Sequence, residues 1–178
     1  MLLFDVLLVD DERWIVESLR GTVDWHALGF RIAGSAANGV EAYERIAREK
    51  PHVALIDIRM PGLNGIELIG KLKASGIPTK CIVASGYAEF EYARQAMVYG
   101  ACGYCVKPFR KEELEETLRG VHAALCRERR GLGRKVAAWL LERGDGQDGA
   151  EMREALEALG FRESEGVFFA VCHWRDGA

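Results

Sequence analysis

Short apolar runs recur along the first part of the chain, and several stop at a polar residue able to do chemistry. Phe4–Val9 stops at Asp10, Val53–Ile56 at Asp57, Cys81–Ala84 at Ser85, and Gly103–Val106 at Lys107. Val53-Ala-Leu-Ile56 shows no alternation of apolar and polar positions, so it reads as a strand buried on both faces. Phe30–Ala36 is a further strand with a small-residue interior.

Between these runs the pattern takes a helical period. Trp14, Ile15 and Leu19 mark a helix from about Arg13, closed by Gly21 and Asp24. Asn38-Gly-Val-Glu41 has a polar cap and an acid three residues on, followed by Val40, Tyr43, Ile46 and Ala47 at helical spacing. Asn64-Gly-Ile-Glu67 repeats that start, with Ile66, Ile69 and Leu72 behind it. Glu89–Tyr99 is a fourth helix stopped by Gly100. A fifth runs from about Lys111 with Leu114, Leu118, Val121 and Leu125 on one side, and Glu112 and Glu113 suit the positive end of its dipole. Regular strand–helix alternation predicts an α/β fold: a doubly wound parallel sheet of five strands with helices on both faces.

Residues 1–130 are therefore expected to form one domain, and 131–178 a linker and the start of a second, incomplete one. Gly131 and Gly133 are expected to break the last helix, with Val136–Glu142 a short new one. Arg143–Gly149 reads as a flexible polar segment, Glu151–Leu159 as a helix and Val167–Val171 as a strand. One strand and short helices do not make an independent sheet domain, so this part reads as a domain cut off.

Charge excludes some function classes. Twenty-four basic and 27 acidic residues leave a net charge of −3, with no basic footprint for nucleic acid. No apolar run has the length of a membrane span, and Met1-Leu-Leu-Phe4 meets Asp5 at once, unlike a signal peptide. Five scattered cysteines suit a reducing cytoplasm rather than a disulfide framework.

The strand ends hold the chemistry. In open parallel sheets ligands bind at the carboxyl edge. Asp10, Asp11 and Asp57 all fall there. Crowded carboxylates raise one another's proton affinity, and a divalent cation reverses that. Hard oxygen donors favour Mg²⁺, and no His or Cys cluster offers a zinc site. Lys107 is a point charge suited to a phosphate oxygen, and Ser85 offers a hydroxyl beside Gly86. Any one strand-end acid is commonly just solvated; the set of five side chains is what argues for a site. These parts suit phosphoryl transfer, in which a carboxylate can be the nucleophile and form an acyl phosphate.

Val9-Asp-Asp-Glu12, Asp57-Ile-Arg-Met-Pro-Gly62 with Asn64-Gly-Ile-Glu-Leu68, Ser85-Gly-Tyr87, and Gly100-Ala101 to Tyr104 with Lys107-Pro-Phe109 together resemble the receiver domain of two-component response regulators. The resemblance covers residues 1 to about 128. It implies a flavodoxin-like sheet of order 2-1-3-4-5, with Asp57 accepting phosphate from a sensor histidine kinase. It further implies Mg²⁺ held by Asp11, Asp57 and the Arg59 backbone carbonyl, with Asp10 acting mostly through a water. Ser85 and Lys107 would hold the phosphate oxygens, Tyr104 would be the aromatic switch coupled to Ser85, and the Lys107–Pro108 bond would be cis. The bulky, charged Arg59 side chain, two residues after Asp57, would bear on water attack at the acyl phosphate, in a direction the sequence leaves open.

The same resemblance implies a surface formed by the fourth helix, fifth strand and fifth helix, with Tyr92, Arg94 and Tyr99 as candidates, through which phosphorylation drives homodimerisation. Trp25 with Leu28-Gly29-Phe30, and the layout of Met152–Gly160 and Val167–Val171, resemble the subfamily with an AraC-type helix-turn-helix output. DNA would then be bound only through an output domain missing from this sequence.

Two rivals stand beside this reading. A Mg²⁺-dependent phosphohydrolase of the haloacid dehalogenase type would use Asp10 as nucleophile and Glu12 as its second acid. A stand-alone receiver would act by binding a protein. Cys102-Gly-Tyr-Cys105 has redox-motif spacing but runs into a strand, so small core residues are the expectation. Arg127–Arg130 with Arg134-Lys135 reads as a solvated helix end.

Overall fold

The computed structural model describes residues 3–86 and 90–143. Its elements are β1 (Phe4–Val9), α1 (Arg13–Thr22), β2 (Phe30–Ala36), α2 (Gly39–Glu49), β3 (Val53–Asp57), α3 (Gly65–Ala74), β4 (Lys80–Ser85), α4 (Phe90–Tyr99), β5 (Gly103–Val106) and α5 (Lys111–Arg143). All strand pairs are parallel, in the order β2-β1-β3-β4-β5. The chain divides into two compact units, Met1–Ala124 and Leu125–Ala178. The sheet lies in the first.

Every residue of β3 is buried, as expected for a central strand without alternation. Leu7 and Val9 of β1, Ala54 and Ile56 of β3, and Val83 of β4 share one core with Ala42 and Ile46 of α2, Leu68, Ile69 and Leu72 of α3, and Ala96 of α4. The alternate positions Val6, Leu8, Leu55 and Ile82 are equally buried, as are the stripes Ile15, Val16 and Leu19 of α1 and Leu114, Leu118 and Val121 of α5. Both faces are therefore covered.

Two helix starts follow the expected capping chemistry. Asn38 Oδ1 accepts the Glu41 N–H at 2.9 Å, and Asn64 and Glu67 form a full capping box at α3. Each cap removes an orphan donor and fixes where the chain leaves the sheet edge.

Other expectations need correction. Trp14 is 67% exposed, because the buried stripe of α1 is Ile15, Val16 and Leu19 and leaves position 14 facing outward. Its indole N–H donates to Glu12 Oε2 at 2.8 Å. Val40 and Ala47 of α2 also face solvent, the buried side being Gly39, Ala42 and Ile46. Gly131 and Gly133 do not break α5, which runs on to Arg143 through the expected Val136–Glu142 segment. Each glycine costs a helix about 1 kcal/mol, which the surrounding Leu, Arg, Lys and Ala residues offset. The expected elements at Glu151–Leu159 and Val167–Val171 lie outside the described residues. Among the described residues, no helix is long and apolar enough to cross a membrane.

Candidate functional site

The parallel register aligns the strand ends. Val9 pairs with Ile56, Asp57 with Ala84, and Ser85 with Val106. Asp10, Asp57, Ser85 and Lys107 thus leave the sheet at nearly one level. Backbone bonds hold the edge: Asp10 N–H donates to Ala36 O at 3.1 Å, Ile58 N–H to Ala84 O at 3.1 Å, and Lys107 N–H to Ser85 O at 2.7 Å.

Asp10, Asp11 and Asp57 converge, each offering a carboxylate oxygen within 4.8 Å of the others. Asp10 and Asp57 are buried and Asp11 is exposed, so the cluster has one open side. The Lys107 ammonium lies 2.8 Å from Asp10 Oδ2 and 2.6 Å from Asp57 Oδ1. It is the cation that offsets the buried acids. Asp10 Oδ1 also accepts the Glu12 N–H at 3.0 Å. Asp10 Oδ2 is buried with no hydrogen bond of good angle, so charge alone compensates it.

Burial pushes the Asp57 carboxyl above its ordinary range; Lys107 pulls it down, and the Asp10 and Asp11 charges add to the rise. Burial would lower the Lys107 ammonium, but the carboxylates of Asp10 and Asp57 outweigh it and hold it above the usual lysine value. An all-oxygen cluster with an under-satisfied buried oxygen and one open side fits a hard divalent cation such as Mg²⁺, which keeps several of its own waters.

Ser85 is fully buried, and its hydroxyl lies 2.8 Å from the Tyr104 hydroxyl, a hydrogen bond joining β4 to β5. Arg59 is exposed on the loop between β3 and α3. With Asp11, Asn64, Glu67, Gln95 and Tyr99 it lines a shallow groove beside the acids. The Lys107–Pro108 bond is cis. Arg94 and Tyr99 are exposed on α4, while the side chain of Tyr92 lies outside the described residues.

The geometry also bears on the rival readings. Glu12, the second acid a phosphohydrolase of the dehalogenase type would need, is bonded to the outward-facing Trp14. Cys102 is exposed and donates its thiol to Cys81 O at 3.3 Å, while burial pushes the Cys105 thiol up and the Cys81 thiol up to about 12. A buried thiol so disfavoured as thiolate makes an inert packing group. Three features left little trace in the sequence: Lys107 binding both acids at once, and the close approaches of Gly65 and Gly39 to backbone at the two ends of the β3–α3 loop. A Cβ on Gly65 would overlap the Asp57 carbonyl, and one on Gly39 the Leu63 carbonyl. A glycine directly after a cap asparagine is the only sign either leaves in the sequence.

Comparison with known proteins agrees with this geometry. The response regulator receiver domain family matches residues 6–119. The uncharacterized transcriptional regulatory protein YesN of Bacillus subtilis (strain 168) is 41% identical over 126 residues, covering 71% of this chain and 34% of its own. The transcriptional regulatory protein HptR of Staphylococcus aureus (strain NCTC 8325 / PS 47) is 31% identical over 136 residues, or 76% of this chain and 53% of its own. The chain thus spans between about a third and about half of the length of these relatives. Among solved structures, the REC domain of AraT, a response regulator from Geobacillus stearothermophilus, superposes with a TM-score of 0.67 at 31% identity, over 72% of this chain and 99% of that one.

Proposed function

The chain belongs to the response regulator receiver family, and on that premise we propose that Asp57 accepts a phosphoryl group from the phosphohistidine of a sensor kinase. The observation that carries this reading is the convergence of Asp10, Asp11 and Asp57 on one partly open pocket with Lys107 against two of them. An Asp57 oxygen attacks phosphorus, the P–O bond forms as the P–N bond breaks, and the kinase histidine, already protonated on its other ring nitrogen, takes the electron pair and leaves as neutral imidazole. The chain acts as a phosphoacceptor, with at most self-catalysed phosphorylation and dephosphorylation.

Asp11, Asp57 and the Arg59 backbone carbonyl would hold Mg²⁺, with Asp10 reaching it mostly through water. Bound there, the cation would neutralise charge building on the phosphoryl oxygens. Lys107 is poised to give up its carboxylate partners for a phosphate oxygen, since a phosphoryl group brings about −1.5 to −2 charge to the same spot. Ser85 would bind another oxygen. To do so its hydroxyl must turn from Tyr104, which couples phosphate to the β5 surface. That coupling supplies the differential contact any population shift needs.

The relatives' names support a role in regulating transcription; the remaining roles rest on the family resemblance. The cellular setting is the cytoplasm, where the kinase presents its phosphohistidine. Residues 1–130 act as the receiver. Residues 131–178 lead towards a further domain, and an output domain of AraC type binds DNA. The α4-β5-α5 face, with Arg94 and Tyr99 exposed, forms the homodimer contact after phosphorylation.

The test is direct. Incubated with acetyl phosphate and Mg²⁺, the chain should gain the mass of one phosphoryl group, lost in Asp57→Ala and in the absence of Mg²⁺. Labelling that persists in Asp57→Ala would reassign the acceptor.

A further inference from the structure

We propose that Gly39, in the first turn of α2, is a positioning residue for the cation site: its missing side chain lets α2 seat the β3–α3 loop against the acid cluster. This rests on the functional reading above.

The loop from Ile58 to Asn64 leaves Asp57 and carries Arg59, so its place sets where the third side of the pocket lies. It is tied to the sheet by Ile58 N–H to Ala84 O at 3.1 Å and closed by Gly65 N–H to Ile58 O at 3.0 Å. Its far end meets α2. A Cβ at position 39 would overlap the Leu63 carbonyl oxygen and come within 2.9 Å of both the Leu63 carbonyl carbon and Cβ. The obstacle is backbone, not a flexible side-chain tip, so relief requires the loop or the helix to move.

The helix is the less free of the two. Ala42 and Ile46 are wholly buried in the core, and Gly39 is itself buried. The turn before α2 is fixed twice by Glu41, whose N–H donates to Asn38 Oδ1 and whose carboxylate accepts the Ala37 N–H, both at 2.9 Å. That turn begins at Ala36, whose carbonyl accepts the Asp10 N–H. The β2–α2 turn therefore touches Asp10 on one side and the loop following Asp57 on the other. The β1–β3 pairing fixes the spacing of the two acids themselves, and the turn fixes where the loop carrying Arg59 lies beside them. An added methyl at 39 would push the loop, and with it the Arg59 backbone carbonyl, away from the acids while leaving every carboxylate in the chain.

The test is calorimetric titration of MgCl₂ into three forms of the chain: wild type, Gly39→Ala, and Ile46→Val as a packing defect elsewhere on the same helix. Circular dichroism checks that each is folded. Residues that orient metal ligands cost roughly ten- to a hundredfold in affinity when changed. Gly39→Ala should bind Mg²⁺ about tenfold more weakly, at the lower end of that range, and Ile46→Val as wild type does. Wild-type affinity in Gly39→Ala, or equal weakening in both variants, overturns the positioning role alone. A wild type that binds no Mg²⁺ overturns the functional reading and this inference with it. Should Gly39→Ala not fold, Asn38→Ala loosens the same turn by deleting the acceptor for Glu41 N–H. It should weaken Mg²⁺ binding more than Ile46→Val does, and unchanged binding there would also overturn the proposal.

Discussion

At their amino ends β1 and β2 close on aromatic rings; at their carboxyl ends β1, β3 and β5 lead into charge. Phe4 packs against Phe30 at 6.2 Å, edge-on to His52 at 5.1 Å and to His122 at 5.3 Å, and Phe30 meets His122 at 5.7 Å. Even the polar demand is met there, since Asp5 N–H donates to His52 Nδ1 at 3.1 Å. Such aromatic pairs stabilise beyond the area they bury. At the opposite edge three acids crowd one lysine, and burial disfavours the charge on Asp57. One end of the sheet is optimised for the folded state. The other end crowds negative charge against a single lysine, a burden that a bound divalent cation would relieve.

Phe30→Ala should show the largest effect, a loss of about 4 kcal/mol in urea unfolding, because the ring is fully buried. Mg²⁺ affinity per folded molecule should not change, which separates the two ends. Lys107→Ala should cost about 3 kcal/mol without Mg²⁺, since it leaves two buried carboxylates without their counter-charge. That deficit should shrink when Mg²⁺ is added, as a second unfolding series would measure.

Asp57→Asn should go the other way, raising the Tm of the Mg²⁺-free chain by a few degrees. The sign follows from proton linkage. The folded-state pKa of Asp57 lies above its ordinary 3.8, so between the two values the folded chain holds a proton the unfolded chain has released. Stability falls as pH climbs through that window and stays reduced at neutral pH; the amide removes this loss. Lys107 contributes oppositely. Its raised pKa gives stability that is fully present below 10.5 and lost only as pH rises through the folded value above it. Thermal melts of wild type and Asp57→Asn from pH 3 to pH 8, all without Mg²⁺, check the crossing. The smallest effect belongs to Tyr104→Phe, about 1 kcal/mol for the lost bond to Ser85, read by urea unfolding.

The aromatic end was hardly legible in the sequence, and the charged end largely was. Acids placed straight after apolar runs signal themselves, because a parallel sheet must expose strand ends on one edge. Asn38 and Asn64 signal helix starts by local hydrogen bonding, which involves only three residues on either side. The ring cluster joins Phe4, Phe30, His52 and His122 from four separate stretches, and nothing local brings them together. The same limit hid the double pairing of Lys107 and the approach of Gly39 to Leu63. Trp14 misled because helical spacing shows that a stripe exists before it shows which neighbour sits at its margin. Gly131 and Gly133 misled because single breakers were weighed without the helix formers around them.

If the acid cluster takes up a divalent cation, that cation should stabilise the fold. Thermal unfolding at neutral pH across a MgCl₂ series tests it, since a ligand held only by the folded state adds about 2.7 kcal/mol at a hundred times its dissociation constant. Tm should climb with Mg²⁺ in the wild type and stay flat in Asp11→Asn, where an exposed carboxylate alone is lost. An equal climb in both, or none in the wild type, would contradict it.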